Sequence, residues 1–116
     1  MKYSLRNLTR GTLLGDSIDL ADSAQKRTTG LLRHKVLRAG EGLWIVPCES
    51  VHTFFMKFPI DAIFLDGGLR VRRVIENMRP WRLSPWVPAA HSILELKGGS
   101  LQGSVRAGDA LEMRPA

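Results

Sequence analysis

The sequence predicts a mainly β domain, α+β at most: a small β-barrel or β-sandwich of about eight short strands, with one helix near residues 23–32. Three observations predict this class. Eleven Gly and six Pro among 116 residues indicate many turns. Strand-like apolar runs recur between those turns. The length fits a single domain, residues 1–116, that buries roughly two-thirds of its unfolded surface.

The N-terminal part of the chain is predicted to form a hairpin, a short strand and a helix. The runs "KYSLRNL" and "TLLG" flank an Arg10–Gly11 turn, and "SIDLADS" follows as a strand. Asp22 is typical of a helix N-cap, and Gln25 three residues later completes a capping box for the helix over 23–32. Gly30 inside that helix costs on the order of 1 kcal/mol relative to Ala.

The rest of the chain supplies the other strands. These are "GEGLWIVP", "VHTFFM", "IDAIFLD", "LRVRRVIEN", "HSILELKGG" and the segment after Gly108–Asp109. The Gly67–Gly68 pair predicts a hairpin between "IDAIFLD" and "LRVRRVIEN". Val74 is out of phase in the second arm, which indicates a bulge at Arg72–Arg73. The segment "RPWRLSPWVPAA" is too rich in proline for a central strand and reads as an ordered loop.

The chain is basic, with 17 Lys+Arg against 11 Asp+Glu and a net charge of +6. Such a balance suits a nucleic acid, an acidic polymer or an anionic membrane surface, or simply gives a small domain its solubility. The solubility reading is favoured because there is no strong basic run and no recognisable nucleic-acid motif. The densest arginine group is Arg70, Arg72, Arg73, Arg79 and Arg82.

A single cysteine, Cys48, excludes an intramolecular disulfide. The N-terminus has no apolar run of signal-peptide length, and no stretch approaches the roughly 18 apolar residues of a membrane span. We therefore expect a cytoplasmic protein without a membrane span. Nothing in the sequence specifies its oligomeric state.

Several motifs occur in an order that resembles the small prokaryotic family known as domain of unknown function 192. They are "RTTGLL", "EGLWIV", "FFMKFPIDAIFLD", "HSILELKGG" and the late Gly-Asp pair. The family pattern falls on Arg27, Gly30, Leu31, Met56, Lys57, Asp61, Phe64, Leu94, Glu95, Leu96, Gly99, Gly108 and Asp109. Leu32 stands where the family usually has Met, Phe55 stands where Trp is usual, and the connection from Lys57 to Asp61 is shorter. The resemblance implies a β barrel- or sandwich-like domain and no particular activity.

Charged side chains interrupt the apolar strands at Lys57, Asp61 and Glu95. An unpaired buried charge costs several kcal/mol, so each must be exposed, paired or hydrogen-bonded. One interpretation is a pair between Lys57 and Asp61 or Glu95 that fixes strand register. The other is the charged lip of a ligand cleft.

The period of two in "HSILEL" puts His91 and Glu95 on the less buried face of a strand, about 13–14 Å apart, so that both line one groove without touching. The opposite face, with Leu94 and Leu96, is predicted to be core. His52, in "VHTFFM", shares a face with Phe54 and Met56.

Two kinds of reactive site are disfavoured. Cys48, His52 and His91 offer three metal ligands, but their spacing is not a zinc pattern, so we expect no metal and no cofactor. A Cys48–His52 nucleophile lacks an orienting third group. In the Pro-rich loop, Trp81 and Trp86 either cap the end of the β structure or form aromatic platforms beside arginines.

The leading functional hypothesis is a non-catalytic binding domain. Its cleft for a small polar or anionic ligand would use His52, Lys57, Asp61, Trp81, His91 and Glu95. The first alternative is an enzyme in which His52 or His91 forms an acid–base pair with a carboxylate. The second is a binder of nucleic acid or another acidic partner through the arginines at 70–82, which the sequence disfavours.

Overall fold

The computed structural model describes residues 2–23, 25–26, 37–54 and 56–116. Seven strands make up one sheet: β1 (Lys2–Asn7), β2 (Thr12–Ala21), β3 (Glu41–Ile45), β4 (Ile60–Leu65), β5 (Val71–Met78), β6 (Ser92–Lys97) and β7 (Leu111–Pro115). Their order across the sheet is β5-β4-β6-β3-β2-β1-β7. The predicted mainly β class is confirmed, with a sheet that curls into a half-barrel.

The two predicted hairpins are confirmed. β1 pairs antiparallel with β2, and β4 pairs antiparallel with β5. In the second hairpin Phe64 pairs with Arg73 and Leu65 with Val71, so Arg72 is left over as a bulge where one was predicted. β2 and β3 pair in parallel, which requires a crossover between them.

The strand predicted in "VHTFFM" is wrong. This segment makes only an isolated bridge, between His52 and Leu83. Its backbone bonds run to the loop over 79–84 instead of the sheet, since Thr53 N donates to Arg82 O and Ser84 N donates to Val51 O. Pro80 and Pro85 have no N–H to donate, which prevents this pairing from growing into a ladder.

The predicted helix over 23–32 lies mostly outside the described residues. Gln25 and Lys26 are helical. The Ser23 hydroxyl accepts a hydrogen bond from the backbone N–H of Lys26, 3.1 Å away. This is the kind of bond that an N-cap side chain makes to the first turn of a helix, so Ser23 takes part in capping.

The sheet wraps around one of its two hydrophobic clusters, which we call the inner cluster. It consists of Leu5, Ile18, Ile63, Leu65, Val71, Leu94, Leu96, Leu101, Val105 and Leu111, with Trp44 packed against it. Because every strand contributes to it, this cluster lies on the face around which the sheet curls. The first strand residues of β5 and β7 close the curl, since Val71 N donates to Asp109 O and Leu111 N donates to Leu69 O.

The outer cluster covers the other face of β3, β4 and β6 with loop residues. Its strand members include Leu43, Ile45, Ala62, Phe64 and Ile93. Its loop members are Leu37, Val51, Met56, Val87 and Ala90. The central strands are therefore buried on both faces.

Candidate functional site

Asp61, on β4, is fully buried and its carboxylate is occupied by the backbone. Oδ1 accepts from Asn77 N at 2.8 Å and from Gly99 N at 3.0 Å, and Oδ2 accepts from Leu101 N at 2.9 Å. These bonds fix the end of β5 and the connection after β6. Three donors leave the carboxylate little capacity for a ligand.

Glu95 lies on the opposite face of the sheet from Asp61. In the β4–β6 register Asp61 pairs with Leu96, and Ala62 pairs with Glu95. Directly paired residues point to the same face and successive residues to opposite faces. Asp61 therefore lies on the side of the inner cluster and Glu95 on the side of the outer cluster, so one cleft does not contain both.

Glu95 is 4% exposed, which corrects the expectation that its face is the less buried one. The loops that cover the outer face account for the difference. Its strand partners are Leu43 on β3 and Ala62 on β4. It makes no hydrogen bond or ion pair with any residue that the structure describes, and desolvation raises the pKa of this carboxyl to about 7. Among the described residues, Glu95 is thus a buried acid between apolar strand partners.

A second feature is a surface row of three rings that we call the aromatic row: His52, Phe54 and Trp81. The His52 and Phe54 rings stack with centroids 5.0 Å apart and planes 21° apart. The Phe54 and Trp81 centroids are 6.2 Å apart, at 32°. Phe54 is 37% and Trp81 is 56% exposed. The row unites two predicted site residues, and Phe54 is the member that the prediction missed.

Backbone hydrogen bonds hold the aromatic row in place through Thr53, which is fully buried. Trp81 N donates to Thr53 O at 2.9 Å, and Thr53 N donates to Arg82 O at 2.8 Å. The Thr53 hydroxyl also accepts from Arg82 N at 2.9 Å and donates to Arg79 O. The two arginines therefore lie beside the segment that carries the rings.

Lys57 and His91, the remaining predicted site residues, are exposed. In the described part of the chain neither forms an ion pair, and the expected pairing of Lys57 with Asp61 or Glu95 is absent. His91 is held by its backbone, since its N–H donates to Leu65 O and its carbonyl accepts from Cys48 N.

Cys48 is half-buried in a shallow surface groove of about 450 Å³. The groove is lined by Pro47, Cys48, Glu49, Ser50 and Trp86. The Cys48 thiol donates to Ser50 O at 3.0 Å, and the Trp86 indole N–H donates to the Glu49 carboxylate. Trp86 does not belong to the aromatic row.

Asp109, in the late Gly-Asp pair, ties the two ends of the fold together. Its carboxylate accepts from the Asn7 amide at 2.9 Å, from Arg10 Nε at 2.8 Å and from Arg106 N at 3.0 Å. Desolvation raises the pKa of this buried carboxyl, but these hydrogen bonds outweigh it and lower the pKa to about 2. Asp109 is a structural anchor.

Residues 2–23, 25–26, 37–54 and 56–116 contain neither a cluster of metal ligands nor a membrane-spanning helix. No group of three or more His, Cys, Asp or Glu side chains there is placed to hold a metal ion. Within the same ranges, no helix has the length and apolar character needed to cross a membrane.

Comparison with known proteins gives consistent matches. The model of family DUF192, described as an uncharacterized ACR, matches residues 7–113. A UPF0127 protein of Pyrococcus horikoshii is 37% identical over 86 residues, 70% of each chain. A UPF0127 protein of Pyrococcus furiosus is 33% identical over 91% of this chain and 94% of its own.

Two solved structures are similar in fold. A protein of unknown function from Novosphingobium aromaticivorans has a TM-score of 0.80 at 20% identity, covering 95% of this chain and 82% of its own. A putative transcription regulator from Sinorhizobium meliloti has a TM-score of 0.77 at 22% identity, covering 96% and 91%. At these identities the likeness extends to the fold alone.

Proposed function

We propose a function for this chain, which belongs to the DUF192 family, from its geometry: it is a non-catalytic domain that binds a small polar ligand through Glu95. The observation that carries the proposal is a carboxyl that is 4% exposed yet makes no hydrogen bond to a described residue. A buried polar group normally has a partner, and the cost of burying one without it is a few kcal/mol. A ligand that donates to Glu95 offsets that cost.

The surroundings of Glu95 suit a small molecule. Ala62, directly opposite on β4, has a short apolar side chain. Leu43 on the other side provides an apolar wall. All three residues stand on central strands, which hold a binding group more firmly than loops do.

The ligand class follows from the charge of the group. A carboxyl in apolar surroundings favours a hydrogen-bond donor, such as an ammonium, amidinium or amide group, and disfavours an anion. We therefore narrow the ligand expected from the sequence, polar or anionic, to a polar molecule with a donor group. His52 and Trp81 lie on the separate aromatic row, and the predicted ligand-binding role of Lys57 and His91 stays a prediction.

The geometry gives less support to the enzyme alternative. His52 Nδ1 accepts from the backbone N–H of Phe54 at 3.3 Å, and neither His52 nor His91 bonds to a carboxylate in the described ranges. A general acid–base pair needs such contact directly or through one water. The cytoplasmic location expected from the sequence stays a prediction.

The test uses three probes with the same alkyl chain, n-butylamine, butyramide and butyrate, titrated into ¹⁵N-labelled protein. We expect butylamine, and more weakly butyramide, to shift the backbone amides of Leu43, Ala62 and Ile93, while butyrate leaves them unchanged. Glu95→Gln should weaken butylamine binding about tenfold, because a hydrogen bond to a charged group contributes roughly 1.5–3 kcal/mol.

Glu112→Gln is the matched control. Glu112 is a half-buried glutamate on β7 that pairs with Arg114 at 2.9 Å, far across the sheet from β6. This variant should bind butylamine as the wild type does. If no probe shifts the amides around Glu95, or if Glu95→Gln binds butylamine with unchanged affinity, the proposal is wrong.

A further inference from the structure

We infer that a second surface of this protein, the aromatic row with the cationic residues Lys57, Arg79 and Arg82, binds single-stranded nucleic acid. This surface is distinct from Glu95, which is buried beneath the covering loops while the row is exposed. The inference goes beyond the proposed ligand site and does not depend on it.

The ring geometry suits base stacking. His52 and Phe54 are nearly parallel, and Trp81 continues the row at a tilt of 32° to Phe54. Trp81 is 56% exposed, and His52 is also exposed. An unpaired base can therefore stack against an exposed ring of the row, as bases do on the aromatic side chains of single-strand binders.

Hydrogen bonds to the backbone hold the aromatic row in place on the surface. Trp81 adopts a left-handed backbone conformation, φ 65°, which its N–H bond to Thr53 O holds in place. Thr53 lies between His52 and Phe54 and bonds to the backbones of Arg79 and Arg82. Rings fixed in this way lose little conformational entropy when they bind a partner.

The charges around the row point to an anionic partner. Arg79 and Arg82, whose backbones bond to Thr53, are exposed, and so is Lys57, three residues after Phe54 in the chain. None of the three forms an ion pair with a described residue. The net charge of +6 alone favours no nucleic acid over simple solubility. Stacking rings and neighbouring cations in one place are, however, the two features that single-strand binding combines.

Other occupants of the surface fit less well. A second copy of this chain, docked through the same patch by two-fold symmetry, would bring like charges from Arg79 and Arg82 together, which opposes association. An acidic peptide satisfies the cations but makes no use of flat, parallel ring faces. A duplex keeps its bases stacked internally and offers them none.

The test measures fluorescence anisotropy of a labelled twelve-nucleotide oligothymidylate with the full chain at 50 mM KCl and upward. We expect binding that weakens with salt, with a logarithmic slope of about −2, the value for about three phosphate contacts to a single strand. Arg79→Ala should make that slope less steep by about 0.7. A duplex of the same length should bind at least about tenfold more weakly.

The key variant is Trp81→Asn, because Asn tolerates the left-handed conformation at this position. It should weaken binding about tenfold, since one base–aromatic stack contributes roughly that factor or more. Trp86→Asn is the matched control: Trp86 is 65% exposed but outside the row, and its loss should change the affinity less than about twofold. Phe54→Leu, which keeps apolar volume without the middle ring, gives an independent second variant.

Several results of these binding experiments would overturn the inference. No anisotropy change at 50 mM KCl with up to about 100 µM protein overturns the inference, because non-specific binding is strongest at low salt. Equal losses from Trp81→Asn and Trp86→Asn, or equal affinity for the duplex, also overturn it, since either result removes the role of stacking. A dimer in sedimentation that Trp81→Asn abolishes, without oligonucleotide binding, assigns the row to self-association instead.

Discussion

Asp61 and Glu95 are carboxylates on neighbouring strands that face opposite sides of the sheet. Asp61 accepts three backbone hydrogen bonds on the inner side. Glu95 lies on the outer side, without a partner among the described residues. Asp61 therefore anchors the fold, whereas Glu95 is a candidate ligand-binding group. Substitutions at the two residues should have different effects.

Asp61→Asn should destabilise the fold by about 2–4 kcal/mol, because the amide NH₂ cannot accept and at least one buried backbone N–H is left unpaired. The free energy of unfolding in urea measures the loss. Asp19→Asn is the control, since Asp19 forms an exposed pair with Lys2 that contributes little. A loss below about 1 kcal/mol for Asp61→Asn would contradict the anchoring role.

Glu95→Gln should change how stability depends on pH. The folded-state pKa, about 7, lies above the ordinary glutamate pKa of 4.5, so the folded state holds the proton more tightly. The wild type should therefore lose about 2–3 kcal/mol of stability as pH rises from about 4.5 to about 7, whereas Glu95→Gln should not. Urea unfolding at several pH values, with Glu112→Gln as control, decides this; equal slopes for wild type and Glu95→Gln would refute it.

Asp109→Asn should change how the stability of the fold depends on pH in the acidic range. The folded-state pKa, about 2, lies below the ordinary aspartate pKa of 3.8, so this carboxylate stabilises the fold above about pH 4 and loses that effect as pH falls towards 2. We expect the variant to be less stable than the wild type by on the order of 1–2 kcal/mol at pH 6, with the gap narrowing at pH 2. Thermal unfolding at both pH values measures the gap, and a constant gap would contradict the assignment.

Gly42→Ala should destabilise the sheet where β3 meets β6. An added Cβ would lie 2.6 Å from the Glu95 carbonyl oxygen and 2.6 Å from Leu96 Cδ2, so the strands would have to shift. Overpacking of this kind costs about 1–3 kcal/mol. Gly67→Ala is the control, because nothing lies within 4 Å of its added Cβ. Similar unfolding midpoints for the two variants would show that the close approach is unimportant.

Local patterns were sufficient to predict much of the fold. The Gly67–Gly68 pair and the out-of-phase Val74 predicted the hairpin and its bulge, because turn chemistry and a period of two are short-range signals. The strand predicted in "VHTFFM" failed because apolar content alone does not identify a partner. That segment pairs with a loop interrupted by Pro80 and Pro85.

The candidate site was less predictable, because its contacts join distant segments. Asp61 receives N–H groups from residues 16, 38 and 40 positions away, which no local pattern encodes. The alternation of "HSILEL" correctly placed Leu94 and Leu96 in the core, but loops bury the face of Glu95 as well. His52 and Trp81 were both identified as candidates, yet only the fold shows that Phe54 links them in one row.

The antiparallel pairing of β1 with β7 brings the two ends of the chain together. Tyr3 pairs with Pro115, and Ala116 N donates to Lys2 O at 2.9 Å. A short flexible linker can therefore join residue 116 to residue 2 without disturbing either strand. Opening the joined chain at the exposed Gly67–Gly68 turn would give a circular permutant that preserves every strand pairing. Fusion partners would then be attached at the turn between β4 and β5.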